Sequence, residues 1–420
     1  MRIQAWLSRC CMAILVVGLA GALSGVAAEE IVLGGMCDRT GPTKSVAIHL
    51  CTGVLDYFKL IDKKGGVNGH KVRFIEVEYA YKVDRGVEAY ERLKRDGAVA
   101  MLDLGTPLVY ALTPRHLEDK IPALTPGFGR ADATDGTQFP FIFPVAATYW
   151  SQMGAAMQYL KDHGTKKGTK VAYLLYDNPA GREPLGVFER ICAQEGYECR
   201  SFVVPAPGVE MASQVTDITR RMQAEWVVSH LFGKSPSVSI KEFRKNGFPL
   251  DKVVSLVWGA GEPDMVAAGW DAAQDYIGLH FAGVGRDFPV IQDIVKMYQS
   301  ENQEIPEDVG TVYYNRGILM AAIMIEGIRL AIEKEGLPVT GEKMKRAWEN
   351  IRDYTLGGFL PPLNITANDH EGGGWVRAYQ TKGEKLVAAT DWFHGYRDIV
   401  LDEVKKAIQQ EKDKQEKEKK

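Results

Sequence analysis

The sequence predicts an α/β protein of two doubly wound, Rossmann-like lobes with a cleft between them. Three observations predict it. Short apolar runs alternate with helical patterns as βαβα, which implies parallel sheets with right-handed crossovers. The alternation breaks at residues 139–146, FPFIFPVA, whose two prolines and extended character suit a passage between lobes, and then restarts. Two more such passages fall at 276–284 and 357–374, so the lobes are expected to share a three-segment hinge.

In chain order, residues 31–35 form an apolar strand, and the loop 37–45, CDRTGPTKS, leads into a helix at 49–63. The turn GGVNG at 65–69 supplies places for positive φ. Residues 71–79 alternate as a strand, 84–96 place Val87, Tyr90 and Leu93 on one helical face, 99–104 are a third strand and 107–117 a helix. After the first passage, helices at 151–163, 184–194, 210–223 and 237–246 alternate with strands at 170–175, 197–204, 226–230 and 252–258. Helices at 289–302, 315–333 and 342–351 follow; the middle one is apolar nearly all round and is therefore buried. Strands at 375–381 and 392–394 end the pattern. The last residues, 403–420, alternate in charge (EKDKQEKEKK) and read as a solvated helix end.

Composition bounds the function. The chain has 420 residues, 45% apolar and 25% charged, enough for two real cores. Arg2 and Arg9 flank a short n-region, 10–26 is a mostly apolar uncharged run, and Val26-Ala27-Ala28 offers small residues for cleavage, which is the pattern of a Sec-type signal peptide. The expected division is therefore signal peptide 1–28, first lobe 29–145 with 284–357, second lobe 146–283 with 358–402, and charged tail 403–420. The net charge of −3 gives no electrostatic footprint for nucleic acid. An exported chain meets oxidising conditions, and the local pairs Cys37–Cys51 and Cys192–Cys199 are expected to be disulfides. No metal-ligand spacing is present, and His49, His230 and His370 are scattered. GxSxG, HExxH, GxxxxGK[ST] and GxGxxG are all missing, so no catalysis and no cofactor are expected.

The stretch 102–130 holds the candidate site. Two Gly-bearing loops, Gly105-Thr106-Pro107 and Pro126-Gly127-Phe128-Gly129-Arg130, each follow the carboxyl end of a parallel strand, the edge where ligands sit in open α/β sheets. Together they offer bare amides, a hydroxyl and a guanidinium to a small anionic or polar ligand. Thr106 has two readings, ligand contact or N-cap of the helix beginning at Pro107, and one hydroxyl can serve both. Trp258 ends a second-lobe strand and is expected to face the cleft, as are Tyr149 and Trp150 just after the first passage.

The chain resembles the periplasmic substrate-binding proteins of branched-chain amino acid ABC transporters, the type I Leu/Ile/Val-binding family. The likeness rests on Thr40-Gly41-Pro42, Lys64-Gly65-Gly66-Val67-Asn68-Gly69, Leu104-Gly105-Thr106, Ile121-Pro122, Thr125-Pro126-Gly127, Phe139-Pro140-Phe141-Ile142-Phe143 and Tyr313-Tyr314-Asn315. The resemblance implies a periplasmic receptor, a monomer, that closes on a small-molecule ligand and hands it to a membrane permease. It implies ligand carboxylate contacts at Thr106, Gly127 and Gly129. It also implies an acid for a ligand ammonium, for which Glu262 and Asp264 are the nearest candidates, and aromatic walls from Phe128, Trp258 and one of Tyr313 and Tyr314. Arg130 is a candidate carboxylate clamp. The chain departs from the family pattern at Gly129, at Ala180-Gly181 in place of Tyr-Gly, and at Tyr79-Ala80-Tyr81 in place of an acidic pair. The expected function is capture of a small polar solute (an amino acid, an amide, or a small or aromatic carboxylate) for an ABC importer. The alternative is a sensor domain of the same fold acting in signalling.

Overall fold

The computed structural model describes residues 30–418, so the signal-peptide expectation lies outside the described residues. The first sheet holds β1 (Ile31–Cys37), β2 (Val72–Glu78), β3 (Met101–Leu102), β4 (Ala123–Leu124) and β5 (Ile142–Phe143), all parallel, in the order β2-β1-β3-β4-β5. The second holds β6 (Lys170–Tyr176), β7 (Glu198–Val204), β8 (Trp226–His230), β9 (Val253–Ser255), β10 (Ile277–His280), β11 (Arg377–Lys382) and β12 (Lys385–Ala388), in the order β12-β11-β10-β9-β8-β6-β7. Strands β6 to β10 run parallel, and the β11–β12 hairpin adds an antiparallel edge. In each sheet the strand order reverses once, beside β1 and beside β6, and the crevice for a ligand opens at such a reversal.

Three of the sequence expectations are corrected. Residues 139–146 are not wholly a passage: Ile142 and Phe143 pair with β4 as the edge strand of the first sheet, and the chain crosses only after them. Residues 392–394 form one bridge, Val376 with Phe393, and the second strand of the hairpin is β12, whose mostly exposed KLVA lacks the apolar alternation that marks buried strands. The charged end is not a free helix. Arg397–Glu418 is one helix whose Val400, Val404 and Ile408 recur every four residues, are buried, and pack against the helices Tyr149–Asp162 and Leu185–Glu195.

Two helices of the first lobe pack with no space between them. Helices Lys44–Lys63 and Val312–Glu335 touch backbone to backbone: a Cβ on Gly53 would lie 2.2 Å from the Tyr314 carbonyl oxygen, and one on Gly317 1.9 Å from that of Leu50. The passages between lobes are bonded to one another. The Glu371 carboxylate accepts from the Thr148 amide at 2.6 Å and from Arg397, and the Gly283 amide donates to the Phe359 carbonyl at 2.8 Å.

Both expected disulfides are present. Cys37 at the end of β1 joins Cys51 in the following helix, and Cys192 joins Cys199 across the turn into β7. The first closes a loop with a sequence separation of 14. Replacing Cys37 and Cys51 with serine is expected to remove about 3 kcal/mol in a urea titration, because the open chain gains loop entropy when unfolded. An unchanged midpoint would show the bridge to be energetically idle.

Candidate functional site

The carboxyl ends of both sheets meet around one space. A cavity of about 40 Å³ is lined mostly by residues in the stretches that follow strands: Asp38 after β1, Tyr81 after β2, Leu104 and Gly105 after β3, Phe128 after β4, Phe232 after β8 and Trp258 after β9, with Tyr149 at the start of the helix that follows β5. Thr43, Val46, Ala47 and Leu50 of the first helix complete the wall. A wider space of about 650 Å³ shares Thr43, Tyr81 and Phe232 with it and is walled by Pro42, Pro107, Pro207, Tyr176 and Asn178, with Lys44 and Lys234 among its residues. The deep end is apolar and aromatic, the composition of a small-molecule pocket.

The two first-lobe loops are packed as follows. Gly105 has φ +118°, and a Cβ there would meet Tyr81 at 2.6 Å and the Tyr79 hydroxyl at 2.8 Å, so glycine is required. Thr106 is fully buried. It does not cap its helix: the N-cap is Gly105, and the Thr106 hydroxyl instead accepts from the Gly129 amide at 3.3 Å and faces the Tyr149 hydroxyl. The Gly127 carbonyl accepts from Trp258 Nε1 at 2.7 Å and from Gln152 Nε2 at 3.1 Å. Phe128 stacks on Trp258 with ring centres 4.6 Å apart and planes 7° from parallel. Gly129 lies under Glu183 of the second lobe, whose Oε1 accepts from the Ala131 amide at 2.7 Å. Burial pushes the Glu183 carboxyl up to about 8. Trp150 lies behind this contact and donates through Nε1 to the Glu183 carbonyl at 2.8 Å. The loops therefore meet the second lobe, but Gly127 and Gly129 are covered by its side chains rather than open to the cavity.

Arg130 is placed away from the cavity, contrary to its reading as a carboxylate clamp. Its guanidinium forks onto Asp132 with two bonds of 2.7 Å, reaches Glu411 at 2.5 Å and lies 4.0 Å from the Phe139 ring centre. Two of the chain's own acids already occupy its donors.

Glu262, Asp264 and Tyr313 are also outside the cavity wall. The Glu262 carboxylate accepts from the Val312 amide at 2.8 Å, at the start of the buried helix Val312–Glu335. Asp264 accepts from the Gly261 amide at 2.9 Å and from the Tyr313 hydroxyl, which also lies 3.1 Å from the Trp258 carbonyl oxygen. Tyr314 points the other way, to Asp56 at 2.6 Å. Arg316 fills the space between: it donates to the Val257 carbonyl and to His280 Nδ1 at 2.9 Å, and its guanidinium lies 4.8 Å from the Trp258 ring. Burial pushes Asp264 up to about 7, although the Tyr313 bond opposes it, and pushes Arg316 down to about 10. These groups brace the back of Trp258 and join the lobes. They leave Asp38 as the acid on the cavity wall, and it accepts from the amides of Gly41 and Thr43 at 2.5 and 2.8 Å and from the Thr43 hydroxyl at 2.6 Å.

Sequence reasoning reached Gly105, Phe128, Tyr149 and Trp258 among the lining residues and missed Asp38, Thr43, Val46, Ala47, Leu50, Tyr81, Leu104 and Phe232. The rule that finds ligands at strand ends applies equally to β1, β2 and β8 and marks Asp38, Tyr81 and Phe232.

A family model for periplasmic binding proteins matches residues 30–385. The chain belongs to the periplasmic binding protein family. One similar solved structure, described as an ABC transporter permease from the Pseudomonas fluorescens group, is 31% identical, with a TM-score of 0.84, covering 92% of this chain and 98% of that one. A branched-chain amino acid ABC transporter protein from Thermus thermophilus, solved with bound valine, is 21% identical, with a TM-score of 0.78 and coverage of 89% and 98%. A fatty acid ABC transporter substrate-binding protein from Thermomonospora curvata is 18% identical, with a TM-score of 0.76 and coverage of 90% and 95%. The last two likenesses show the fold. No curated protein matches the chain. In this binding protein no helix among the described residues is long and apolar enough to cross a membrane. The family is one of binding proteins and not of enzymes.

Proposed function

We propose that the protein is the periplasmic solute-binding component of an ABC importer and captures a small solute in the interlobe cleft. The observation that carries this reading is the cavity built at the carboxyl ends of both sheets. In it the first lobe is formed by residues 30–145 and 284–357, and the second by 146–283 and 358–402 together with the helix that follows. Closure is a population shift driven by tighter binding to the closed arrangement, in which Trp258 of one lobe stacks on Phe128 of the other. The lining favours a solute with an apolar or aromatic portion. The valine and fatty acid named for two relatives share that property.

A thermal-shift screen over amino acids, amides, aromatic acids and short carboxylates tests the proposal. A specific solute at 100 times its dissociation constant should add about 2.7 kcal/mol of stability. Compounds with an aromatic ring or branched alkyl group are expected to lead the ranking. A flat response across all four classes would end this assignment of the cleft.

A further inference from the structure

The two spaces that share Thr43, Tyr81 and Phe232 differ in charge. The small one, walled by Phe128, Tyr149 and Trp258, has Asp38 as the charged residue of its lining. Asp38 is 1% exposed and accepts from the amides of Gly41 and Thr43 and from the Thr43 hydroxyl. A carboxylate entering there would lose its water among apolar walls and beside another carboxylate, which is costly. The loop after β4 does not offer it donors either. The amides of Gly127, Phe128 and Gly129 already go to the Val145 carbonyl, the Thr125 carbonyl and the Thr106 hydroxyl.

The wide space of about 650 Å³ has the reverse character. Lys44 reaches it from the first lobe and Lys234 from the second. Both are exposed, and among the described residues neither ammonium has a hydrogen-bond or ion-pair partner. Their loops touch: a Cβ on Gly233 would lie 2.7 Å from the Pro42 carbonyl oxygen, so the two lysines flank one point where the lobes meet. Asp177 is the acid among the residues of this space, and Arg182 holds it with bonds of 2.9 and 2.6 Å. Asn178 Oδ1 accepts from the Gly181 amide at 2.9 Å, which leaves the Asn178 N–H groups as donors.

We infer that the solute is an amphipathic anion, held with its apolar part in the small aromatic chamber and its anionic group in the wide space between Lys44 and Lys234. The inference rests on the reading of the cleft as the solute site, and it adds the class and the orientation of what that site takes. Closure brings two like charges together, and they repel. An anion between them is attracted to both lobes at once, so it binds the closed arrangement more tightly than the open one. Each lysine makes an exposed contact, worth no more than about fivefold in affinity, and the pair should supply about tenfold.

The test uses the full chain, with 3-phenylpropanoate and octanoate as probes, each compared with its own primary amide. Isothermal titration at pH 7 and low ionic strength gives the ratio of acid to amide affinity in wild type, Lys44→Gln, Lys234→Gln and the double variant. Taking the ratio within each variant cancels a general loss of binding. Wild type is expected to prefer the acid about tenfold, each single variant about threefold, and the double variant to show no preference. A wild-type ratio near one overturns the inference and leaves the cleft as a solute site of another class. A preference that survives in the double variant overturns it too, because the anion then sits away from the lysines. Binding of neither acid to wild type also overturns it, and the separate thermal-shift screen then decides whether the cleft takes solutes at all.

Discussion

Trp258→Ala is expected to cost about 3–5 kcal/mol in chemical denaturation and to abolish detectable solute binding. The side chain is 2% exposed and lies between the two halves of the protein. One face stacks on Phe128, the other lies against the Arg316 guanidinium, and the indole N–H donates to the Gly127 carbonyl. Alanine removes all three and joins the vacated volume to the cavity. Trp258→Phe keeps the stack and loses the hydrogen bond, so its cost should be nearer 1 kcal/mol. If alanine costs no more than phenylalanine, the stacked pair is not what seals the lobes together.

Arg316→Met should be comparably severe, about 3–5 kcal/mol, because it leaves buried acids without their cation. Arg316 is 1% exposed and lowers the pKa of both Asp264 and Glu262. Without it both carboxyls rise further. A carboxyl whose folded value is raised holds its proton in the native state, so the variant should recover stability as pH falls from 8 to 5. Urea midpoints at the two pH values measure this. Adding Asp264→Asn should restore part of the loss at pH 8, since the orphaned acid is then gone. A loss independent of pH would place its origin in packing rather than in charge.

Much of the fold was legible because alternation of short apolar runs and helical faces is a local property. The strands at 170–175 and 226–230, the buried helix near 315–333 and the two disulfide pairs could each be read from a few neighbouring residues. The site was legible only where it follows from a strand end, as at Gly105 and Trp258. What escaped depends on distance. Arg130 looked available although Asp132, two residues on, takes its fork; only its second partner, Glu411, lies far away, 281 residues further on. Tyr81 enters the cavity only because Ala80 and Tyr81 adopt left-handed backbone, φ 53° and 57°, which no turn residue announces. Glu262, Asp264 and Tyr313 carry the right chemistry for a polar ligand, yet the two lobes direct that chemistry at one another. At the carboxyl end, the alternating charges hid the stripe of Val400, Val404 and Ile408.

The backbone contact at Gly53 and Gly317 bears on how a binding protein of this fold can change its ligand over evolution. Any larger side chain there would push two helices apart, so this part of the molecule has little room to drift. Most of the cavity wall is drawn from the stretches that follow strands, but Val46, Ala47 and Leu50 come from the first of these helices, and Leu50 also supplies the carbonyl that Gly317 approaches. Mechanical integrity and chemical choice therefore overlap on one helix face, and a lineage has more freedom to retune the loops than that face.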